Sequence, residues 1–441
     1  MSRLSTDHRN NFKGIVRTAL LAMLFSALFC FGTYAAEAGT AGSDRGTQAK
    51  DSVTGKEAEA EGAYPLLSEA ERILCGAADE IAGEVSKAAR NPAVSDKILT
   101  ATGKKLNRED GKWVIPKEGP ASGREMTIVF TGDIIFERSQ NPGIAKVGED
   151  GIGVCFDDET WEIMHAADLL VVNNEFPYTD RGTATPGKQF TFRCDPDTVE
   201  WLADMGTDLA ALANNHIYDY GEEGALDTFD TLDDAGIPYI GAGRDYEDAS
   251  RAAYYLANGM SVAILNATEI ERYENPDTKG AGEDSPGVFR CLDDEDLCEK
   301  VREAGEHADL VIVFAHWGTE LMPSADGRQR SIAEDLVEAG ADVIVGAHPH
   351  ILQNIEYIDG VPVFYSLGNY FFSASTRDNG VLRITLDAES AGVKSLQFIP
   401  MVQQHGVRTL DGHDKERVLD TMRNLSPGVE IDDDGFFEES P

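Results

Sequence analysis

Five short apolar runs in this chain each end in residues able to bind a cation or handle a proton. Residues 126–130 lead to Gly132 and Asp133, and 168–172 lead to Asn173, Asn174 and Glu175. Residues 208–213 lead to Asn214, Asn215 and His216. Residues 309–314 lead to His316, Trp317, Gly318 and Glu320, and 342–345 to Gly346, His348 and His350. Four of the nine histidines therefore stand on three run ends, with carboxylates on two others. Imidazole combined with carboxylate and amide oxygen suits Zn, Mn or Fe. Two such ions about 3.5–4 Å apart can lower the pKa of a bridging water and clamp an oxyanion. The candidate metal ligands are Asp133, Glu175, Asn215, His316, His348 and His350, for one or two divalent ions. Asp133 and Glu175 are the candidates to bridge, because only carboxylates here span two cations. Asn215 offers either an amide oxygen to a metal or an amide N–H to a substrate oxyanion. His216 is a candidate ligand or general acid, and Glu320 a ligand, a base or a surface carboxylate. His348 and His350 flank Pro349. In extended chain they would face opposite ways, so a turn is needed to aim both inward.

Positioning these groups requires strands and the helices that feed them. The apolar runs fit buried parallel strands, and amphipathic helical stretches at 198–206, 296–307 and 329–340 precede three of them. Alternating helix and strand predicts an α/β fold with substantial parallel pairing, its functional groups gathered at the carboxyl ends of the strands. Asp168, Asp208, Asp309 and Asp342 open four of the strands at the opposite end and read as helix-to-strand connectors. His8, His165, His307, His405 and His413 lie outside the pattern. The glycines around Gly241 and Gly243 come without a phosphate-loop lysine. No Gly-x-Ser-x-Gly occurs, so serine acyl hydrolysis has no support.

The words Gly132-Asp133, Asn173-Asn174-Glu175, Asn214-Asn215-His216, His316-Trp317-Gly318 with Glu320, the segment from Gly346 to His350, and the segment from Tyr365 to Asn369 occur in that order. In these the sequence resembles the CapA family of capsule and poly-γ-glutamate biosynthesis proteins, relatives of calcineurin-like metallophosphoesterases. The resemblance spans roughly residues 126–405. It implies a metallophosphatase-like α/β sandwich, export, and a part in making or anchoring an anionic cell-surface polymer. It maps a phosphoesterase site onto Asp133, Glu175, Asn215, His216, His316, His348 and His350. Two positions depart from the phosphoesterase pattern: Ile135 stands where Asp-x-His would place histidine, and the second motif is Asn-Asn-Glu.

Composition sets the limits on partners. The 441 residues hold 38 Lys and Arg against 78 Asp and Glu, a formal charge of −40. Nucleic-acid binding depends on clustered cations and is disfavoured. Arg3, Arg9, Lys13 and Arg17 precede an uncharged stretch at 18–36, so residues 1–36 read as an export signal or membrane anchor. Residues 37–62 read as a disordered linker. Residues 63–123 read as a helical segment, begun by a Ser68–Glu71 capping box, and a connector from 112. A metallophosphatase-like domain follows at 124–410, then an acidic C-terminal segment at 411–441. Cysteines at 30, 75, 155, 194, 291 and 298 form no C-x-x-C pair, and Cys291 with Cys298 is either a small disulfide loop or two thiols. Two functions are expected. One is an exported metal-dependent hydrolase acting on a phosphoester or on the polymer itself. The other is a non-catalytic metal- or polymer-binding component of a synthesis or export assembly, with membrane partners.

Overall fold

A computed structural model describes residues 97–99, 105–109, 112–114, 125–148, 151–257, 260–270, 279–372, 375–387 and 389–441. The export segment, the linker, the capping-box helix, Cys30 and Cys75 lie outside them. Three short strands come first: β1 (Lys97–Leu99), β2 (Lys105–Glu109) and β3 (Lys112–Val114). The apolar runs follow as β4 (Glu125–Ile134), β5 (Leu169–Asn174) after helix α1 (Asp158–Ala166), and β6 (Leu209–Ala211) after α2 (Val199–Asp204). Helix α3 (Gly221–Ala235) leads to β7 (Tyr239–Ile240), β8 (Ala242–Gly243) and α4 (Tyr246–Ser250). Next come β9 (Ala253–Ala257), β10 (Met260–Thr268) and β11 (Gly287–Val288). Helix α5 (Glu295–Gly305) precedes β12 (Leu310–His316), and α6 (Gly327–Ala339) precedes β13 (Val343–Ala347). The strands β14 (Ile355–Ile358), β15 (Val361–Phe364), β16 (Asn369–Phe371), β17 (Arg377–Asp387), β18 (Gly392–Gln403) and β19 (Val407–Thr409) complete the sheets. The chain ends in α7 (Gly412–Leu425), β20 (Val429–Ile431) and β21 (Phe437–Glu439).

The strands form two large sheets. One has the order β1-β2-β3-β9-β10-β12-β13-β15-β14, the other β19-β18-β17-β4-β5-β6-β7, with β16 also on β4. Each has a parallel centre, β10-β12-β13-β15 in the first and β4-β5-β6-β7 in the second. Period-two alternation sorts their residues between layers. Ile128 and Phe130 of β4 meet Ile312 and Phe314 of β12 in the core between the sheets, where the Phe130 and Phe314 rings pack edge to face at 5.3 Å. Val129, Leu170 and Val172 point the other way, onto Ile163 of α1, Leu202 of α2 and Phe229 of α3. Val311 and Val313 likewise meet Leu297 and Val301 of α5 and Ile332 and Leu336 of α6. The expected α/β sandwich with parallel pairing flanked by helices is thus a four-layer structure, helix–sheet–sheet–helix.

Helix ends follow from their sequences. Asp326 and Gln329 form a reciprocal capping box at the start of α6, and Gly340 ends it at φ 105°. The strand-opening aspartates do specific work too. Each takes an amide near the start of the neighbouring strand: Asp168 Oδ2 accepts from Thr127 N (2.7 Å), Asp208 Oδ2 from Leu170 N (2.9 Å), Asp309 Oδ2 from Ser261 N (2.7 Å) and Asp342 Oδ2 from Val311 N (2.7 Å). The same residue type therefore closes the amino end of both parallel centres.

Two sequence expectations need amendment, and one alternative is decided. Residues 97–114 are not helix and connector throughout: β1 to β3 pair in succession, and β3 joins β9 in parallel with Trp113 opposite Tyr255. Their mixed Lys, Arg and Glu content hid them, since it breaks the apolar alternation by which a strand is read. The acidic C-terminal segment at 411–441 is not separate from the 124–410 domain, because Val418, Leu419 and Met422 of α7 with Val429, Ile431 and Phe437 enter the inter-sheet core. Acidity there belongs to the solvent face. Cys155, Cys194, Cys291 and Cys298 are buried free thiols, so of the two alternatives for Cys291 and Cys298 the structure has the two thiols.

Asp208→Ala should lower the unfolding free energy by about 1–3 kcal/mol, the cost of orphaning a buried amide, and Asp208→Asn by less, because it keeps an acceptor. Urea denaturation measures both. Equal stability of Asp208→Ala and wild type would show that the Leu170 amide does not need the carboxylate.

Candidate metal centre

The parallel strands of both sheets end on the same side of the sandwich, and their final residues meet across the seam. Asp133 closes β4 between two asparagines. In register it faces Asn173 on β5 and Asn369 on β16. This crowding explains Gly132. Asp133 N donates to the Gly368 carbonyl (3.1 Å), and a Cβ on Gly132 would collide with that oxygen. From the other sheet, β12 delivers His316 and the turn after β13 delivers His348 and His350. The turn required around Pro349 is present: His348 has φ 99° and His350 φ 61°, both in the left-handed region. That backbone, strained for residues with a Cβ, brings both rings to the same side.

Two ligand groups result, and they share one residue. Glu175, His316 and His348 form the first; Asp133, Glu175 and His350 form the second. In the first, His316 Nε2 lies 3.1 Å from His348 Nδ1, 3.4 Å from Glu175 Oε1 and 2.8 Å from Asn215 Oδ1. In the second, His350 Nδ1 lies 3.2 Å from Asp133 Oδ2. Asp133 Oδ1 accepts from Asn173 Nδ2 (2.7 Å) and from His348 N (3.2 Å). Of the two candidate bridging carboxylates, Glu175 is the one common to both groups. It is fully buried, and neither of its oxygens has a hydrogen-bond partner.

Burial sets the protonation states. It pushes the Glu175 carboxyl well above the carboxylate range, and the Asp133 charge pushes it further. Asp133 is equally buried, but the hydrogen bond and charge of His350 outweigh burial and hold it low. Burial lowers His316 to about 3 and takes His348 well below the imidazole range. His350 goes the other way: burial is outweighed by its bond to Asp133 and the charges of Glu175 and Asp133, and it rises to about 9. Two neutral imidazoles, one ion pair and one carboxyl that burial biases toward its protonated form therefore fill the seam at neutral pH.

A third set of residues stands beside these groups. His216 Nδ1 lies 2.7 Å from Asp219 Oδ2, and Asp219 Oδ1 lies 2.5 Å from Lys188 Nζ. Lys188 also donates to the Asn215 carbonyl, and Phe192 stacks on the His216 ring at 4.1 Å. Burial, helped by the Lys188 charge, keeps His216 far below its ordinary value, hence neutral. With Nδ1 committed to Asp219, Nε2 is the nitrogen left for a substrate. Glu320 is exposed on the loop after β12; its charge reaches Glu175 and His316. Asp133, Glu175, Asn215, His216, His316, His348 and His350 are thus brought together, with Glu320 at the rim. Sequence reasoning missed Lys188, Asp219 and Asn369. Asn369 ended a quoted word without a role, and Lys188 and Asp219 sit in loops with no periodic signal.

The residues fit divalent cations. An unpartnered buried carboxylate and two imidazole nitrogens 3.1 Å apart are poorly satisfied by each other and well satisfied by a cation. Mixed imidazole and oxygen donors match Zn, Mn or Fe.

Residues 127–374 match the family described as bacterial capsule synthesis protein PGA_cap. The chain is 33% identical over 289 residues to the PGA biosynthesis protein CapA of Bacillus subtilis, covering 64% of this chain and 73% of that one. It is 30% identical over 310 residues to the capsule biosynthesis protein CapA of Bacillus anthracis, covering 67% and 72%. Among solved structures, a phosphatase from Mycoplasma pneumoniae aligns with a TM-score of 0.41 at 13% identity, over 64% of this chain and 94% of that one.

Cation binding must strip the proton that His350 holds at pH 7, and burial, which favours the protonated form of Glu175, adds to the competition between protons and cations. Filling the second group at pH 7 should release at least about one proton per chain, that of His350, and affinity should rise with pH up to about 9, where His350 loses its own proton. Calorimetry in buffers of different ionisation enthalpy reads the count. Proton-neutral binding would contradict these assignments.

Proposed function

The chain belongs to the bacterial capsule synthesis protein PGA_cap family, and from that premise we propose that it is an exported component of cell-surface polymer biosynthesis with a cation-dependent hydrolase centre. The observation that carries the hydrolase reading is Glu175, a buried carboxylate without a hydrogen-bond partner shared by two ligand groups. Asp133, Glu175, His350, His316, His348 and Asn215 would hold the cations. Such ions supply Lewis-acid polarisation of an ester oxygen and acidify water.

The chain's own residues supply orientation and proton handling. Asp219 and Phe192 fix the His216 ring, and Lys188 holds Asp219 in place. His216, neutral at rest, presents the Nε2 lone pair to accept a proton from a nucleophile and return it to a leaving oxygen. Asn215 turns Oδ1 toward His316, which leaves Nδ2 to donate to a developing oxyanion. The preferred substrate is a phosphoester, or an ester or amide of an anionic surface polymer. With a formal charge of −40, the chain as a whole repels such a polymer, and bound cations would reverse the sign locally. Export rests on residues 1–36; among the described residues, no helix is long and apolar enough to cross a membrane.

One observation favours the non-catalytic reading, a cation- or polymer-binding part of a synthesis or export assembly. Ile135 is fully buried where a phosphoesterase would place histidine, so it adds nothing to the second group.

Turnover of a chromogenic phosphodiester by the Mn- or Zn-loaded chain separates the two. His348→Ala should reduce kcat/KM by more than about 100-fold, and Asp219→Asn should reduce kcat by about 100-fold or more, with cation content unchanged in the latter. Turnover in His348→Ala equal to wild type would sink the hydrolase reading. A wild type that binds cations yet hydrolyses neither phosphoester nor polymer would favour the assembly reading.

A further inference from the structure

The second ligand group has three members among its carboxylates and imidazoles, and the residue just past β4 that could have supplied a fourth does not. The Ile135 side chain is in the core, and its amide donates to the Phe371 carbonyl (2.9 Å). We propose that the side-chain oxygen of Asn369 completes this group as a cation ligand, giving a second site of Asp133, Glu175, His350 and Asn369. The proposal rests on the reading of the seam as a cation centre and goes beyond it by assigning a ligand.

Three observations carry it. Asn369 is 2% exposed and lies directly across from Asp133 in the parallel β16–β4 register, on the flank of β4 opposite Asn173. Its Oδ1 lies 2.7 Å from His350 Nδ1, the same nitrogen that faces Asp133 Oδ2 at 3.2 Å. An outer partner that merely orients a liganding imidazole bonds to the other ring nitrogen. Here two oxygens and one nitrogen converge on a single hydrogen, and a cation in its place would find all three donors. The first group repeats the arrangement. There Asn215 Oδ1 lies 2.8 Å from His316 Nε2, the nitrogen that also faces Glu175 and His348. Each group is thus completed by one asparagine oxygen set against its own imidazole.

The two sites then differ in character. The first has two imidazoles and two oxygen donors; the second has one imidazole and three oxygen donors. Oxygen-rich donor sets suit Mn over softer ions, so the second site is the one that Mn should fill in preference to Zn.

Mn(II) titration of the chelator-stripped full chain, followed by electron paramagnetic resonance of free Mn(II), tests the assignment. Wild type should bind two Mn(II). Asn369→Ala should keep one and bind the other more than about 100-fold more weakly, beyond the 10–100-fold typical of losing an outer partner. Asn369→Asp should keep both. A second Mn(II) held by Asn369→Ala within 100-fold of wild type overturns the proposal. If wild type binds one Mn(II) that His348→Ala abolishes and Asn369→Ala leaves untouched, only this proposal falls. If wild type binds none, the cation-centre reading falls with it. Should Asn369→Ala fail to fold by circular dichroism, Asn369→Asp decides alone, and a second Mn(II) weakened more than 100-fold there overturns the assignment.

Discussion

A carboxylate sealed between two sheets with no hydrogen-bond donor is the constraint around which this molecule is arranged. An isolated buried charge of that kind is far too costly to persist, so the group must be neutralised by a proton or compensated by a positive charge. Glu175 is placed so that either is possible. Around it, His316 and His348 are kept neutral by burial, while Asp133 and His350 hold their charges only as a pair. Such a seam is in balance for protons and poised for divalent cations.

The sandwich makes that arrangement affordable by separating stability from chemistry. Three clusters of buried apolar side chains fill the inter-sheet core and the two helix layers. At the amino ends of the parallel strands, four aspartates satisfy four strand amides. At the carboxyl ends the same strands terminate in polar residues that satisfy one another incompletely. Left-handed backbone at His348 and His350 adds strain of about 1–3 kcal/mol at each residue. Both features are local costs at the site, carried by a well-packed body.

Much of this was legible in the residue pattern, for a physical reason. Strands buried on both faces write continuous apolar runs, and where those runs stop, the polar residue is at a strand end. Hence β4, β5, β6, β12 and β13 could be placed from sequence, with Asp133, Glu175, His316 and His348 at or just past their ends. Periodicity could not tell that β4 to β6 and β12 to β13 belong to different sheets. The sandwich came from the resemblance of ordered motifs. Helices α1 and α3 went unread among dense acidic residues, and the charged strands β1 to β3 were taken for helical segment and connector. Lys188 and Asp219 matter through a contact between two loops 31 residues apart, which no local pattern records. The role of Asn369 depends on the pairing of β16 with β4, a tertiary fact.

The most direct test of the central claim is the thermal midpoint of wild type and Glu175→Gln, each metal-free and with excess Mn(II). Glutamine has the shape of the protonated carboxyl and no charge to bury. The account predicts that metal-free Glu175→Gln melts at or above metal-free wild type, and that Mn(II) raises the midpoint of wild type through preferential binding to the folded state but not that of the variant. A metal-free variant that melts well below wild type, with an undiminished Mn(II) shift, would show that the Glu175 carboxylate serves the fold and not a cation.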